Sequence, residues 1–577
     1  MSEGADLATT PPSSGDVNRR RFLQLFSAVG VTAAFPGTLW ALAAKREPIT
    51  RGDIAKAAAL DGVELTEAQQ EMMLKGVNEL RDKYEKLRAA KLANAVAPAL
   101  LFDPLVEGVT LEKERRPFVT TRERVPETVS DVEQLAFLPV TALSQLIRSR
   151  RVSSEALTRM YLARLKRFDP ILHCVITLTE KRALERARRA DQELSIGIYR
   201  GPLHGIPWGA KDLLAVRGYP TTWGATPYKD QVIDEDATVV KRLDEAGAVL
   251  VAKLSLGALA SGDVWFGGKT RNPWKPDQGS SGSSAGPASA VAAGLVGFAV
   301  GSETRGSILS PCTRCGATGL RPTFGRVSRH GAMALSWSMD KLGPVCRSVE
   351  DCAVVLHAIA GPDGEDETVR DVPFNWDPGL DVGTLTFGYL KSVFEAKPDE
   401  RRREWHKLDL AAVEQVRSLG VELVPIELPD VPVDAMSFIL DAEAAAAFDQ
   451  LTVSGRDKEL VRQDEHAWPN TFREARTIPA VEYIQANRLR RIAMREMARV
   501  LDGLDGYLSP TFGGSNLALT NLTGHPAVVV PDGFRTDGTP TSITFMGNLF
   551  GEAKALALAK AYQDATGFQL RHPDVGV

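Results

Sequence analysis

The chain has 577 residues and a formal net charge of −4 at pH 7, with 44% hydrophobic and 25% charged residues. These values are typical of a soluble globular protein, and the length allows either several domains or one long α/β unit. A chain without a basic excess is not expected to act mainly on nucleic acid or on an anionic membrane surface. Five cysteines argue against a disulfide framework and leave the compartment open.

The first 43 residues have the order of an export signal. A basic stretch, residues 19–21, precedes an apolar run over 25–42 that ends in Ala-Leu-Ala at 41–43, as in a secretory signal. Arg-Arg-x-Phe-Leu at 19–23 resembles a twin-arginine signal. We therefore expect residues 1–43 to address the chain to the twin-arginine translocation machinery and the protein to be exported across a bacterial inner membrane. A tail with a surface helix and an uncleaved membrane anchor are the alternatives.

Residues 44–130 are predicted to be a helical extension and a proline-rich connector. Between Ile54 and Ala93, apolar residues recur three and four positions apart, which indicates an amphipathic helix; they are Met72, Met73, Val77, Leu80, Tyr84 and Leu87. We expect this extension to wrap the main domain rather than to carry a function of its own.

From Leu138 onward, helical and strand patterns alternate, which predicts an α/β sheet with covered faces. Helices are predicted to begin at Ser154, Asp236 and Ala288, and the first of them to end at Asp169-Pro170. Short apolar runs at 248–252 and 296–300 are predicted to be buried strands.

Two runs of small residues carry candidate chemistry. Residues 279–286 read Gly-Ser-Ser-Gly-Ser-Ser-Ala-Gly, a composition that lets the backbone approach other groups closely; a flexible linker is the alternative. Residues 301–308 read Gly-Ser-Glu-Thr-Arg-Gly-Ser-Ile. A serine on a tight turn after a strand presents its Oγ beside backbone N–H groups that can bind an oxyanion.

Lys211 lies in a third segment, residues 201–212, among glycine and apolar residues such as Ile206, Trp208 and Leu213. Such surroundings disfavour the charged ammonium, so Lys211 could act as a neutral base. The alternative is a surface lysine at the end of a strand.

These three segments, together with Cys-Gly-Ala-Thr-Gly-Leu-Arg-Pro-Thr-Phe-Gly at 315–325, resemble the amidase signature family. The resemblance implies one large α/β domain, residues 131–577, with a mixed, twisted central sheet that is covered by helices on both faces. The match runs from about 138 to 352 and resumes near the C-terminus, whereas 360–510 matches weakly and is expected to form much of the substrate pocket.

The resemblance also implies roles for single residues. Ser307 would be the nucleophile, Ser283 a bridging serine that follows a cis peptide bond from Gly282, and Lys211 the base. The backbone N–H groups of Thr304, Arg305, Gly306 and Ser307 would form the oxyanion hole. The implied mechanism needs no metal, no cofactor and no histidine, so His204 and His525 are interpreted as structural.

The chain departs from the family pattern beside the nucleophile. The family pairs a carboxylate, here Glu303, with an arginine two residues after the serine, but Leu309 holds that position. Arg305 replaces a usual glycine, and it either takes over the pairing with Glu303 or points into the substrate cleft. Cys312-x-x-Cys315 could suggest a redox or metal site, but packing is the preferred interpretation, because no further ligands lie nearby at zinc spacing.

The expected function is hydrolysis of a small linear amide, at C–N bonds other than peptide bonds, through an acyl-enzyme on Ser307 with a Ser283–Lys211 proton relay. Neither nucleic acid nor a cofactor is expected as a partner, and a homodimer is left open. One alternative is the glutamine-hydrolysing A subunit of a tRNA-dependent amidotransferase. The other is a catalytically inactive homologue that only binds.

Overall fold

The computed structural model of the protein describes residues 48–89 and 102–575. The predicted signal, residues 1–43, lies outside them. The chain forms two units, residues 1–50 and 51–577, and the helices and strands given below all belong to the second. In the described ranges, no helix is both long and apolar enough to cross a membrane.

One mixed sheet organises the described part of the chain. Its eleven strands lie in the order β1-β3-β2-β8-β10-β9-β14-β15-β13-β11-β12, and two short hairpins, β4-β5 and β6-β7, lie outside it. The strands are β1 Val175–Leu178, β2 Pro207–Lys211, β3 Val249–Leu254, β4 Val264–Trp265, β5 Gly268–Lys269, β6 Arg271–Asn272, β7 Lys275–Gly279, β8 Phe298–Glu303, β9 Thr318–Arg321, β10 Lys341–Cys346, β11 Thr386–Leu390, β12 Glu422–Ile426, β13 Gly506–Pro510, β14 Ala527–Phe534 and β15 Pro540–Gly547.

Helices flank this sheet, which confirms the predicted fold class. They are α1 Arg51–Asp61, α2 Glu67–Ala89, α3 Val140–Arg148, α4 Ser154–Leu172, α5 Glu180–Ser195, α6 Thr238–Glu245, α7 Ala285–Ala292, α8 Leu309–Cys315, α9 Val349–Ile359, α10 Lys391–Glu395, α11 Arg403–Ser418, α12 Phe438–Ala447, α13 Asp449–Val453, α14 Trp468–Ala475, α15 Ala480–Val500, α16 Asn516–Thr523 and α17 Glu552–Thr566.

The extension differs from its prediction as a single helix, because it forms two. The chain leaves α1 at Gly62, whose φ of 71° is readily adopted only by glycine. Helix α2 then starts at a capping box, in which the Gln69 side chain accepts from the Thr66 N–H at 2.8 Å and the Gln69 N–H donates to Thr66 Oγ1 at 3.3 Å. Most of the predicted apolar positions of α2 are buried, and Met72 is half-buried.

Helix α4 was expected to end at Asp169-Pro170, and this expectation is wrong by about three residues. The helix continues through Pro170 to Leu172 and ends at His173, which adopts the left-handed conformation. The side chain of Asp169 accepts from the N–H groups of Cys174 and Val175, at 2.8 Å each, beyond the helix end. A proline in the last turn removes only one helical hydrogen bond, so it does not force an earlier stop.

Strands β2, β3 and β8 are parallel neighbours in the sheet, and they carry the candidate active site described below. All their residues are buried, and β2 pairs with β3 on one side and with β8 on the other. The predicted buried runs at 248–252 and 296–300 overlap β3 and β8. Since parallel strands end at the same edge, the carboxyl ends of β2 and β8 lie side by side.

Candidate active site

Lys211 and the turn over residues 302–307, which contains the predicted nucleophile Ser307, come together because their strands are neighbours. Lys211 is the last residue of β2, and Ala210 lies opposite Val300 in the pairing of β2 with β8. Lys211 therefore lies level with the end of β8, just before the turn that contains Ser307. Lys211 and Ser307 are 96 positions apart in the sequence, and the parallel pairing of β2 with β8 brings their segments together in the fold.

The Lys211 ammonium group is fully buried and surrounded by serines. Its Nζ donates to Ser283 Oγ at 2.8 Å, to Ser302 Oγ at 2.8 Å and to Ser284 Oγ at 3.1 Å. Burial moves the pKa of Lys211 well below its ordinary value, although the charges of Asp340 and Glu303 oppose this shift. The structure thus excludes the alternative of a surface lysine.

The glycine–serine run does not act as a linker. The peptide bond between Gly282 and Ser283 is cis, as the resemblance implied. Ser283 and Ser284 are both buried, and the Ser284 N–H donates to the carbonyl of Ser307 at 3.0 Å. The Ser284 Oγ also accepts from the Ser302 N–H at 3.1 Å. These bonds fasten the run to both ends of the turn over residues 302–307.

Ser307 is half-buried at the start of the segment that leads into α8. The turn passes through Gly306 with a φ of 96°, a value that favours glycine. In the described part of the chain, the N–H groups of Arg305, Gly306 and Ser307 donate no hydrogen bond to another group. Free N–H groups beside a half-buried serine are what an oxyanion hole requires.

Glu303 stabilises the turn that contains Ser307 through hydrogen bonds to the backbone that follows it. Its carboxylate accepts from the N–H groups of Ile308, at 2.8 Å, and Leu309, at 3.0 Å, at the start of α8. Burial alone would raise the pKa of Glu303, but the charge of Arg321 and the hydrogen-bond donors around the carboxylate hold it below the ordinary value. An ionised carboxylate at a helix N-terminus is stabilised by the helix dipole.

The cation that pairs with Glu303 is Arg321, on β9. Arg321 Nη1 lies 2.8 Å from Glu303 Oε1, and both side chains are fully buried. The Asn521 side-chain amide donates to the same oxygen at 3.0 Å. The first alternative for Arg305, that it takes over this pairing, is therefore wrong, because Arg321 is the partner of Glu303.

Arg305 instead projects from the turn and is exposed. Its charge lies close enough to Asp441, on α12, to oppose the rise in the pKa of Asp441 that burial causes. Lys83 of α2 acts on Asp441 in the same way, and its Nζ donates to Ser437 Oγ at 2.9 Å. Arg305 therefore faces the region where the extension meets α12.

The two histidines have partners away from Lys211. His204 Nε2 lies 2.9 Å from the carbonyl of Ala190, on α5. His525 Nδ1 lies 2.8 Å from Thr523 Oγ1, and burial lowers the pKa of His525 to about 3. These contacts agree with the interpretation of both residues as structural.

Cys312 and Cys315 are buried as free thiols in α8. Burial raises the pKa of each thiol above its ordinary value, which makes a reactive thiolate unfavourable. Within the described ranges, no group of three or more His, Cys, Asp or Glu side chains is placed to hold a metal ion.

Three residues around the site were missed at the level of sequence. Ser302 and Ser284 both accept from Lys211, and Asp340 accepts from Thr304 Oγ1 at 2.6 Å. The sequence offers a signal for Ser302: it follows the predicted buried strand at 296–300 by two positions, and side chains in a strand alternate between the two faces, so its position on one face could have been worked out. Asp340 had no such signal, because β10 brings it there from a separate part of the chain.

Known proteins resemble this chain in sequence. The family model described as Amidase matches residues 156–520. The A subunit of glutamyl-tRNA(Gln) amidotransferase from Marinomonas sp. (strain MWYL1) is 34% identical, over 75% of this chain and 98% of that protein. The protein of the same name from Moorella thermoacetica is 32% identical, over 77% of this chain and all of that protein.

Solved structures resemble it as well. The peptide amidase from Stenotrophomonas maltophilia aligns with a TM-score of 0.67 and 30% identity, over 75% of this chain and 98% of that chain. An amidase family protein from Bacillus anthracis aligns with a TM-score of 0.68 and 27% identity, over 77% and 93% of the two chains. The protein therefore belongs to the amidase family and is an enzyme that hydrolyses C–N bonds.

Proposed function

We propose that the protein hydrolyses a carboxamide through an acyl-enzyme on Ser307, with Ser283 and Lys211 as its proton relay. The observation that carries this proposal is the 2.8 Å contact between the buried Lys211 Nζ and Ser283 Oγ. The neighbouring Ser284 N–H is bonded to the carbonyl of Ser307. An amine, a bridging hydroxyl and a half-buried serine hydroxyl thus occupy one edge of the sheet.

The reaction begins with Lys211 in its uncharged form, which burial favours. Ser307 Oγ attacks the carbonyl carbon of the amide, and its proton passes to Ser283 while Ser283 gives its own proton to Lys211 Nζ. The tetrahedral intermediate then breaks its C–N bond, and the relay returns the proton to the leaving nitrogen. Water attacks the acyl-enzyme by the same route and regenerates Ser307.

The negative charge on the tetrahedral oxygen needs donors that are already in position. The N–H groups of Thr304, Arg305, Gly306 and Ser307 are the proposed donors. A donor of this kind is worth about 3–4 kcal/mol in other hydrolases. Arg305 would serve through its backbone only, so its long side chain leaves this step unaffected.

Two substrates have separate support. The names and coverage of the curated relatives favour glutamine, hydrolysed as by the A subunit of a tRNA-dependent amidotransferase, and they support this alternative better than a stand-alone amidase. A free amide with a larger substituent is favoured by the cavity beside Ser302 and Thr304, whose volume is about 510 Å³, within the range of ligand pockets. An inactive binding homologue has less support, because the three proposed catalytic residues are all present.

We also propose that residues 1–43 direct export. The support is the Arg-Arg-x-Phe-Leu pattern at 19–23 and the apolar run behind it. An exported chain would be separated from cytoplasmic tRNA and would favour the free amide as substrate.

Ammonia release from glutamine, measured with and without the other components of an amidotransferase, distinguishes the two substrates. A panel of aryl, fatty, amino-acid and peptide amides completes the experiment. If glutamine is hydrolysed and no panel amide is, the amidotransferase role is supported. If the isolated chain hydrolyses panel amides, the stand-alone amidase is supported. Equal turnover of the panel by the wild type and by Ser307→Ala would refute the proposed mechanism.

A further inference from the structure

A cavity of about 510 Å³ lies beside the proposed relay. Ser302, on β8, and Thr304, directly after β8, form part of its wall. Much of the remaining wall is apolar and includes Leu213, Met333 and Leu335. Ser302 Oγ accepts from Lys211 Nζ at 2.8 Å, so the cavity lies next to the proposed relay, and its apolar wall favours an apolar substituent.

Five acidic side chains line this wall, namely Asp340, Glu365, Asp366, Glu367 and Glu443. Glu443 accepts from Ser336 Oγ at 2.6 Å, from Ser338 Oγ at 2.7 Å and from Tyr483 OH at 2.8 Å. A carboxylate with three donors needs no polar group from a ligand. Asp340 accepts from Thr304 Oγ1 at 2.6 Å and Asp366 pairs with Arg329 at 2.9 Å, whereas Glu365 and Glu367 are exposed to solvent. The buried part of the wall therefore does not oppose an apolar substituent.

Phe102 closes part of this cavity, and it comes from the connector. The family match begins only at residue 156, so this wall residue lies outside it. Phe102 is 4% exposed, and its ring packs edge-on against Phe324 with the centroids 4.8 Å apart. The guanidinium of Arg490 lies 3.6 Å from the centroid of the Phe102 ring.

Arg490 links Phe102 to Ser338, another residue of the cavity wall. Its Nη1 and Nη2 donate to the Oγ and the carbonyl of Ser338, at 2.7 Å each, and its Nε donates to the carbonyl of Leu522 at 2.6 Å. A fully buried guanidinium with these partners has little freedom to move. The aromatic ring above it is therefore a fixed wall.

The connector is also fastened directly after Phe102. Asp103 forms an ion pair with Arg370, and the carbonyl of Leu105 accepts from Arg491 Nη1 at 3.1 Å. Gly524 lies against the same segment: a Cβ there would lie 3.0 Å from Pro104 Cβ and 3.3 Å from Phe102 Cε1. The close fit leaves the ring in one place.

We propose that Phe102 is a specificity-determining residue that limits the length of the apolar substituent on the amide substrate. This inference rests on the proposed function, because the cavity is relevant to specificity only if Ser307 reacts beside it. The substrate class is an amide with an unbranched alkyl or aryl arm that extends from the reacting carbonyl or nitrogen toward Phe102.

The test compares full-length variants on two series of amides, linear primary amides from C4 to C12 and N-alkyl acetamides of the same lengths. We expect the ratio of kcat/KM for long to short members to rise at least about tenfold in Phe102→Ala in one series, because one methylene in an apolar pocket changes the rate by about 10–200-fold. Phe102→Leu should give a smaller rise. The series that responds identifies the end of the substrate that occupies the cavity.

Phe118→Ala is the matched control, since Phe118 is also in the connector and stacks on His357 at 4.1 Å. Its length preference should equal that of the wild type. If Phe102→Ala fails to fold, Phe102→Leu decides. An unchanged preference in a folded variant that still reacts with a fluorophosphonate at Ser307 refutes the inference alone, as does a wild type that accepts glutamine but no alkyl amide. Activity retained by Ser307→Ala would refute the proposed function instead.

Discussion

Lys211 Nζ lies 2.8 Å from Ser283 Oγ, and at most 1% of the surface of either residue reaches solvent. Burial lowers the pKa of Lys211, so its uncharged form is reached at a lower pH than for a free lysine near 10.4. Activity should therefore be low below that pKa and rise as the pH passes it, through one ionisation. A profile of kcat/KM against pH measures this.

Substitution separates Lys211 from the histidines in that profile. Lys211→Ala and Lys211→Arg should each lower the rate by about 10²–10⁴-fold, because a proton acceptor is lost in both. His204→Ala should keep the ionisation, since His204 contacts α5. If the ionisation disappeared in the His204 variant and survived in Lys211→Ala, a serine–histidine mechanism would have to replace the relay.

The nucleophile is tested by removal of one atom. Ser307→Ala should lower turnover by at least about 10⁴-fold while the fold remains intact. Mass spectrometry should find a fluorophosphonate on Ser307 in the wild type. Ser310→Ala is a suitable control, since Ser310 is one turn further on and its Oγ lies 2.7 Å from Ser281 Oγ. Labelling at another serine would contradict the assignment.

The buried pair of Glu303 and Arg321 should be sensitive to the loss of one partner. Arg321→Met leaves an uncompensated buried carboxylate, and such changes cost about 3–5 kcal/mol of stability. Thermal unfolding should show a clear loss, together with a lower kcat, because Glu303 holds the start of α8. The double variant Glu303→Gln with Arg321→Met should recover part of the stability.

Arg217→Met is the control for that experiment. The Arg217 side chain is 64% exposed and lies beside Asp234 on the surface. Its loss should change the unfolding free energy by at most about 0.5 kcal/mol. If Arg321→Met and Arg217→Met lowered the unfolding free energy equally, the buried Glu303–Arg321 pair would contribute no more to stability than a surface pair.

A carboxyl pair at α11 and β14 should make stability depend on pH. Burial and the neighbouring Asp532 raise the pKa of Asp409 to about 8. The folded state therefore keeps a proton that the unfolded state releases above pH 4, so stability falls as the pH rises from about 4 to 8. Asp409→Asn cannot ionise. It should melt about 2 °C above the wild type at pH 8.5 and no higher at pH 4.

Asp230→Asn provides the comparison, because Asp230 is exposed. Its melting temperature should follow that of the wild type across the same pH range. Parallel curves for the wild type and Asp409→Asn would show that the pair does not control the pH dependence.

The export proposal has its own experiment. Arg19→Lys combined with Arg20→Lys should retain the protein in the cytoplasm, whereas the wild type should be found outside it. Arg46→Lys, beyond the proposed cleavage site, should leave export unchanged. Native protein in the cytoplasm with residues 1–43 intact would contradict a cleaved export signal.

The local patterns of the sequence were enough for the parallel strands around Lys211, whereas the roles proposed for Lys211, Ser283 and Ser307 came from the family resemblance. Strands β3 and β8 were visible as short apolar runs, and small residues marked both serine turns. The prediction failed where a distant residue decides the outcome. Arg321 could not be assigned to Glu303 from spacing, because strands β9 and β10 must first bring it beside β8.

Helix ends were also less predictable than helix positions. Pro170 was read as a stop, but the start of the next segment satisfies the end of α4 through Asp169. Similarly, the long apolar pattern of the extension concealed the break at Gly62. Such ends depend on which polar groups happen to be close in the folded chain.

The Glu303–Asn521 contact joins residues 218 positions apart, and Arg326 contacts Glu552 across 226 positions. The ribosome makes the chain from its N-terminus, so Lys211, Ser283 and Ser307 emerge long before these partners. A nascent chain that stops before Asn521 therefore lacks one of the donors that hold the Glu303 carboxylate in place. The contacts around Glu303 can therefore reach their final form only once nearly the whole protein has been synthesised.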